Sequence, residues 1–219
     1  MVVAKYPATH GHTTVINNLC NELKNMGHRA AIGAFSFEKE PPHNIEKIVL
    51  NKSKLLRYGV QYLNFDIIHT HQSRVNYYLL SVKPRKPVVL HYHGASNWIQ
   101  RLNFKIMMAL YKNRIKKIIS VSATGITQMQ KMIGTVNADV LYNGVDTDFY
   151  SMNLPAKYKK GEPQLLFVSA LRRYKNTSTL IDLIPKLVQK FPNIHLQIVG
   201  TGEDYDNLKQ KIQKNKLEN

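Results

Sequence analysis

The stretch IHLQIVGTGEDYDNLKQ (residues 194–210) joins an apolar run to a Gly-Thr-Gly turn and an acidic helix start. A strand, a glycine turn and an amphipathic helix form the repeating unit of layered α/β domains. A dinucleotide fingerprint would place its third glycine at position 205, which is Tyr205. We therefore expect no NAD site here, and we interpret the glycines as letting the strand meet the following helix closely.

The same alternation of strands and helices extends back through the chain. Buried strands are predicted at FDIIHTH (65–71), PVVLHYHG (87–94) and KKIISVSA (116–123), and helices at residues 97–113 and 124–133. The first predicted helix has Thr13 or Thr14 as its cap and Gly27 at its left-handed end. This alternation implies a parallel sheet with right-handed crossovers. The sequence thus predicts an α/β fold with a doubly wound parallel sheet.

A change of texture after Asp146 predicts a second domain. TDFYSMNLPAKYKKGEP (147–163) is polar and contains lysine and proline, as linkers between domains do. The strand and helix pattern then restarts. We predict a first domain over residues 1–145, a connector over 146–162 and the first βα units of a second domain over 163–219.

The net charge of +17, from 31 lysines and arginines against 14 acidic residues, predicts acidic partners. Nucleic acid, anionic lipid and phosphorylated small molecules all fit that charge, and a solvated lysine-covered surface is the alternative. The chain has one cysteine, Cys20, no run of about 18 apolar residues and no signal-peptide pattern. A cytoplasmic location is expected.

Histidines follow several predicted strands at the edge where ligands bind in such sheets. His69 and His71 end one strand, His91 and His93 end the next, and His10 and His12 follow the first. A metal site is one interpretation, but no carboxylate accompanies the histidines at ligand spacing, so no metal is expected. One alternative is that the histidines form hydrogen bonds to an anion or a sugar. For His69 and His71, another is that backbone carbonyls accept the hydrogen bonds of their rings.

Two further features favour anionic ligands. Gly11 lies between the first strand and helix, where backbone amides and the helix dipole favour an anion, although a tight turn without ligand is equally consistent. Arg172, Arg173 and Lys175 lie together at a strand-to-helix turn, where a diphosphate would offset their repulsion. A solvated basic loop is the alternative there.

These segments resemble the retaining, nucleotide-sugar-dependent glycosyltransferases of family 4, which have the GT-B fold of two Rossmann-like domains. The resemblance rests on five stretches in the expected order: YPATHGHTTVINNLCNELKNMGH (6–28), FDIIHTH, VLHYHG (89–94), LYNGVDTDFY (141–150) and the segment from FVSALRRYKN (167–176) to Leu208. It implies that residues 1–145 form a Rossmann-like acceptor-side domain. Residues 163–219 would be part of a nucleotide-sugar-binding domain.

The resemblance also implies roles for individual residues. His93 would lie near the reacting sugar as the catalytic residue, Gly11 beside the donor phosphates, and Lys175 on the diphosphate, with Arg172 and Arg173 as further donor-binding residues. Transfer would proceed with retention, without a cofactor or metal, from a UDP- or GDP-sugar. Residues expected in the acceptor site or cleft are His10, His12, His71 and Asn143.

Three departures from the family pattern qualify these expectations. His12 replaces the second glycine of the first loop, and Ala170 replaces the usual phosphate-binding arginine. The E-x7-E motif, which contacts the donor in the family, would fall beyond Asn219. We therefore expect these 219 residues alone to have little transferase activity, either because they are a fragment of a longer transferase or because a separate chain supplies the rest.

The segment NWIQRLNFKIMMALYKNRIKK (97–117) is a basic amphipathic helix that suits an anionic membrane surface, although its apolar residues are more typical of a core. The expected partners are a nucleotide sugar, a glycan or lipid-linked acceptor, and an anionic membrane at the inner face, without nucleic acid. The rival from another class is a non-catalytic basic module that binds nucleic acid or sugar phosphates. No RNP, helix-turn-helix or zinc pattern supports it, and the signature at residues 143–146 disfavours a GT-B epimerase.

Overall fold

The computed structural model describes residues 1–8, 11–148, 150 and 162–218 and divides into two compact units, Met1–Thr147 and Asp148–Asn219. In chain order the first unit contains β1 (Lys5–Tyr6), α1 (His12–Asn25), β2 (Ala31–Ala34), β3 (Ser36–Phe37), β4 (Glu46–Val49), α2 (Lys52–Tyr58), β5 (Ile68–Thr70), α3 (Ser73–Leu79), β6 (Val88–Tyr92), α4 (Trp98–Tyr111), β7 (Lys117–Ser120), α5 (Ala123–Ile133) and β8 (Ala138–Val140). Short 3-10 turns follow α2 and α4, at Gly59–Tyr62 and Lys112–Arg114.

The sheet of the first unit is parallel throughout. Strands β5, β6, β7 and β8 lie side by side in that order, and β2 pairs with β4. Val2 forms parallel bridges with both Gly33 in β2 and Thr70 in β5, so the start of the chain lies between these strands. The resulting spatial order is β4-β2-Val2-β5-β6-β7-β8. The chain thus adds β2 and β4 on one side of the Val2 segment and β5 to β8 on the other side. The predicted doubly wound sheet is therefore confirmed.

Helices cover the sheet and build its core. Helix α1 buries Ile16 and Cys20 against Val3 and Ile32 in one apolar cluster. Separate clusters form where α2 and α3 pack near β5 and β6, and where α4 and α5 pack against β6 and β7. Burial of these side chains is the main favourable contribution to folding of the unit.

The ends of α1 differ in part from the prediction. Gly27 has φ +86°, and the His28 amide donates to the Leu23 carbonyl, as expected for a left-handed helix end. The start is different, because Gly11 with φ +78° precedes the helix, without a side-chain cap. Thr13 instead donates its hydroxyl to the Ala8 carbonyl at 2.8 Å. The prediction of a threonine cap is thus wrong.

The amphipathic helix α4 has two apolar faces. Phe104, Met107 and Met108 are buried in the core, as predicted for this helix. Trp98 is 71% exposed, and Leu102, Ile106 and Leu110 are also exposed at successive intervals of four residues. The core interpretation is therefore wrong for Trp98, Ile106 and Leu110. Together with Leu102 they form a second apolar stripe, the outer stripe of α4, which faces away from the sheet.

The second unit repeats the βα pattern. Its described elements are β9 (Gln164–Val168), α6 (Thr177–Lys190), β10 (His195–Val199) and α7 (Tyr205–Lys214). The two strands pair in parallel, with His195 opposite Gln164. Leu171, Ile181 and Leu208 form its buried cluster. In the described part of the chain, none of the helices has the length and hydropathy needed to cross a bilayer.

Candidate functional site

Five imidazole rings gather at the carboxyl edge of the first sheet. The two His-x-His pairs stand at the ends of the neighbouring strands β5 and β6. The fifth ring belongs to the first residue of α1 and lies 4.2 Å, between centroids, from the ring of His93. We name this group the histidine cluster; its members are His12, His69, His71, His91 and His93. The predicted convergence of histidines at one edge is confirmed.

Contacts between rings run through the whole cluster. The ring centroids of His69 and His71 are 4.6 Å apart, those of His69 and His91 5.2 Å, and those of His91 and His93 4.5 Å. Nδ1 of His71 lies 3.0 Å from Nε2 of His93, so one of these nitrogens carries the hydrogen and the other accepts it. On its other side, Nε2 of His71 lies 3.5 Å from Sδ of Met1.

Burial keeps four rings of the cluster neutral, those of His69, His71, His91 and His93. It lowers the pKa of His69 and of His93 to about 3 and that of His91 to about 4, and the other histidines add to these shifts. Burial, together with the neighbouring imidazoles, also places the pKa of His71 well below its ordinary value of 6.5. At neutral pH these rings therefore offer lone pairs and N–H donors rather than positive charge. They suit sugar hydroxyls better than phosphates.

Several ring nitrogens in the cluster lack hydrogen-bond partners. His91 is only 2% exposed, and neither of its ring nitrogens has a partner among the described residues; the same holds for Nε2 of His69. Backbone carbonyls thus do not satisfy this atom of His69, and His71 contacts side chains instead. Buried polar atoms without partners are uncommon in folded proteins and call for a ligand or other explanation.

The loop after β6, which carries His93, is fixed by a residue that the sequence did not single out. Gln128 of α5 accepts hydrogen bonds through its side-chain oxygen from the Tyr92 hydroxyl and, at 2.9 Å, from the Ala95 amide. Its side-chain nitrogen donates to the Ala95 carbonyl at 3.0 Å. Gly94, between these residues, has φ +94°, a conformation that favours glycine. Gln128 therefore positions the His93 loop, and no sequence motif marked it.

Gly11 adjoins the cluster through its neighbour His12. It is exposed, and among the described residues a Cβ added to it would meet no atom within 4 Å, so those residues leave the space beside this turn open. Because Gly11 immediately precedes α1, the first amides of that helix lie next to the open space. The geometry is consistent with an anion at this position.

The predicted cationic residues form a short turn in the second unit. Arg173–Lys175 is a 3-10 turn that leads into α6, and both Arg173 and Lys175 are exposed. Thr177 is the first residue of α6, and its buried hydroxyl has no hydrogen-bond partner in the described ranges. Cations therefore stand at a helix N-terminus, where the partial charge of the backbone also favours an anion.

The Gly-Thr-Gly turn after β10 packs against backbone. The Leu171 amide donates to the Thr201 carbonyl at 2.8 Å, and a Cβ added to Gly200 or Gly202 would overlap backbone atoms of Ser169 or Leu171. The glycines thus allow close approach to the segment that follows β9. The prediction that the glycines let the strand meet the following helix closely stays a prediction.

The other predicted residues have different placements. Asn143 lies exposed in the loop after β8, which ends at Val140, and it is not a member of the histidine cluster. His10 lies outside the described residues. Of the four residues predicted for the acceptor site or cleft, the structure brings together His12 and His71, beside His93.

Comparison with protein families gives two matches that together cover most of the chain. The model for "Glycosyltransferase Family 4" matches residues 9–149, and that for "Glycosyl transferases group 1" matches residues 153–219. The first match contains the histidine cluster, and the second contains the basic turn before α6.

Comparison with curated proteins finds phosphatidyl-myo-inositol mannosyltransferases of mycobacteria. The Mycobacterium tuberculosis protein is 25% identical over 146 residues, which is 64% of this chain and 38% of the relative. The Mycolicibacterium smegmatis protein is 28% identical over 156 residues, covering 68% of this chain and 39% of the relative. The chain thus spans about two fifths of the length of these relatives.

Solved structures with the same fold include Anabaena Alr3699/HepE in complex with UDP-glucose, with a TM-score of 0.70 and 19% identity over all of this chain and 66% of that one. A lipopolysaccharide outer core galactosyltransferase, WaaB, has a TM-score of 0.65 and 14% identity over 98% of this chain and 65% of that one. Both likenesses concern the fold, which is GT-B.

Proposed function

The chain belongs to glycosyltransferase family 4, and on that premise we propose that it serves in the transfer of a sugar from a nucleoside-diphosphate sugar to an acceptor, with retention of configuration. The observation that carries the proposal is the basic turn at the start of α6, within the segment that matches the second glycosyltransferase model. A diphosphate is the ligand whose charge best complements Arg172, Arg173 and Lys175. UDP and UDP-glucose are bound in the Anabaena structures, which supports a donor of this class.

Departure of the nucleoside diphosphate develops negative charge, and Lys175 with the two arginines is the group proposed to stabilise it. The reaction proposed here requires no metal ion at the diphosphate. Gly11 is assigned to the donor phosphates, because its turn is open and the first amides of α1 lie beside it.

His93 is the residue proposed to face the reacting sugar. Its neutral imidazole bonds His71 through Nε2, which holds the ring in one orientation and leaves Nδ1 as the other polar atom. A neutral, fixed imidazole can exchange a hydrogen bond with a sugar hydroxyl without repelling a developing positive charge on the sugar. His12, His71, His10 and Asn143 stay proposed neighbours of the acceptor.

The acceptor is proposed to be a glycan or a lipid-linked glycan at an anionic membrane. The exposed apolar stripe of α4 supports membrane docking, since Arg101, Lys105 and Lys112 on the same helix and its end are exposed as well. The names of the mycobacterial relatives include a phosphatidylinositol acceptor, which is consistent with a lipid surface. The proposed location is peripheral, at the cytoplasmic face of the inner membrane.

A cavity of about 660 Å³ beside α4 adds to this argument. It combines cationic and apolar walls, as a site for an anionic amphiphile would; its lining includes Lys105, Lys112, Lys116, Met108, Ile133 and Val136. Helix α4 thus contributes Lys105 and Met108 to the lining of this cavity.

Thermal unfolding in the presence of ligands tests the proposed function against its rival. UDP-glucose and GDP-mannose are compared with a short oligonucleotide of equal charge, at matched ionic strength. We expect a nucleotide sugar to raise the Tm and the oligonucleotide to leave the Tm unchanged. Stabilisation by the oligonucleotide alone would favour a nucleic-acid-binding module. The low transferase activity expected of the 219 residues by themselves stays a prediction.

A further inference from the structure

The two His-x-His pairs create an arrangement that the proposed transfer reaction does not require. Alternate residues of a strand face the same side of a sheet, so two such pairs on adjacent parallel strands place four imidazoles on one face. In this protein β5 and β6 are those strands, and the rings of His69, His71 and His91 lie within 5.2 Å of one another, centroid to centroid.

We propose that His69, His71 and His91 form a binding site for a divalent transition-metal ion of the Zn²⁺ class. One ring nitrogen from each residue lies within 4.8 Å of the other two. Zn–N bonds of about 2.0–2.1 Å in tetrahedral geometry place ligand nitrogens roughly 3.3 Å apart. To bind one ion, the three nitrogens therefore have to approach one another by about 1.5 Å at most.

The unpartnered nitrogens are the second, independent observation. Both ring nitrogens of His91 and Nε2 of His69 are buried and lack hydrogen-bond partners in the described part of the chain. Leaving such an atom unpaired destabilises the folded chain. A bound ion accepts one lone pair from each imidazole, so it gives a partner to Nε2 of His69 and to one of the two ring nitrogens of His91.

The ligand atom of His71 follows from its other contact. Its Nδ1 lies 3.0 Å from Nε2 of His93, so Nε2 is the nitrogen left for an ion. Coordination through Nε2 makes Nδ1 the protonated nitrogen, which then donates to His93. The contact of Nε2 with Met1 Sδ, at 3.5 Å, gives way to the ion or joins it as a weak sulfur ligand.

The donor set determines the class of ion. Three imidazoles without a carboxylate suit Zn²⁺, Co²⁺, Ni²⁺ or Cu²⁺, whereas Mg²⁺ and Ca²⁺ prefer oxygen ligands. Metal binding requires neutral histidines, so the affinity is expected to fall as the pH is lowered. Three protein ligands leave a fourth position for water.

Cobalt spectroscopy and calorimetry test this site without any nucleotide sugar, so the result is independent of the proposed function. Untagged protein is stripped with EDTA and titrated with Co²⁺ and then Zn²⁺. We expect one ion per chain, a tetrahedral Co²⁺ absorption band that Zn²⁺ removes, and an increase in Tm. No saturable binding to the wild-type chain would overturn the proposal.

Four variants locate the ion. We expect His91→Gln and His69→Gln to lose affinity by more than the 10–100-fold typical of a lost outer-shell partner, and to lose the tetrahedral band. The exposed His28→Gln is the matched control, and His93→Gln is expected to retain the ion. Circular dichroism tests whether each variant is folded. Two ligand variants are used so that the test still stands if one of them misfolds. Equal loss in His28→Gln, or loss in His93→Gln as complete as in His91→Gln, would contradict the assignment.

Discussion

Nδ1 of His71 lies 3.0 Å from Nε2 of His93, and this contact joins the ends of strands β5 and β6 at the carboxyl edge of the sheet. The two residues are 22 positions apart in the chain, so the contact depends on the parallel pairing of the strands. The orientation of the His93 ring therefore depends on which nitrogen of His71 carries the hydrogen. That tautomer depends in turn on the contacts of His71 with the rest of the histidine cluster.

The histidine cluster should make the fold sensitive to acid. Each member of His69, His71, His91 and His93 has a folded-state pKa below its unfolded value of 6.5, so unfolding takes up protons as the pH falls below about 6.5. A pKa of about 3 predicts a loss of about 2 kcal/mol of unfolding free energy between pH 7 and pH 5 for each of His69 and His93. Burial also lowers the pKa of the Met1 amine, which adds to the lowered pKa of His69 and of His71.

Urea unfolding at pH 7 and pH 5, with EDTA present, measures this loss. His69→Gln is expected to reduce the difference between the two pH values, while the exposed His28→Gln leaves it unchanged. An unfolding free energy that is equal at both pH values would show that the cluster is accessible and protonates in the folded state.

The thiol of Cys20 should be unreactive in the folded protein. It is buried in the α1 cluster, and burial raises its pKa, so the reactive thiolate is disfavoured at neutral pH. We expect its reaction with Ellman's reagent to be at least about 100-fold slower in buffer than in urea. Because the folded pKa exceeds the unfolded one, this residue also makes stability fall as the pH rises above about 8.5. Rapid labelling of the native chain would contradict its burial.

The glycine turn after β10 should not accept a side chain. A Cβ at Gly202 would overlap the backbone of Leu171, so we expect Gly202→Ala to destabilise the second unit by about 1–3 kcal/mol. Gly144→Ala is the matched control, since a Cβ there meets no atom of the described residues within 4 Å. Denaturant unfolding compares the two variants. Equal stability of both would mean that the turn packs less closely than described.

The outer stripe of α4 should determine binding to anionic membranes. Burying a leucine side chain contributes about 1.5–3 kcal/mol, so Leu102→Ser is expected to lower partition into phosphatidylglycerol vesicles by about tenfold or more. Leu183→Ser on α6 is the matched control, because its side chain is similarly exposed, at 45% against 48% for Leu102. Co-sedimentation at low salt measures both variants. Absence of binding by the wild-type chain would remove the membrane from the proposal.

The parallel fold was predictable from the sequence because each long apolar run ended in polar residues and was followed by a helical pattern. Helices α2 and α3 were not predicted, since each has seven residues and too few turns to show a period. A signal existed for α2, because Asn51 accepts a hydrogen bond from the Lys54 amide as a helix cap.

Parts of the site were less accessible to sequence reasoning. The His-x-His pairs indicated a shared edge, but only the adjacency of β5 and β6 brings His69, His71 and His91 close enough to suggest an ion. The two apolar faces of α4 were indistinguishable by composition, so the outward stripe was assigned to the core. Gln128 acts through a contact 33 residues distant in the chain, which no local pattern encodes.

Binding of a nucleotide sugar through the basic turn is the central claim, and saturation-transfer NMR tests it most directly because it detects weak ligands. UDP-glucose and GDP-mannose are titrated with the wild-type chain, with Lys175→Ala, and with Lys186→Ala, which removes an equal charge from an exposed position within α6. The account predicts transfer of saturation to one nucleotide sugar, lost in Lys175→Ala and retained in Lys186→Ala. No transfer to either sugar, or an equal signal from all three proteins, would contradict it.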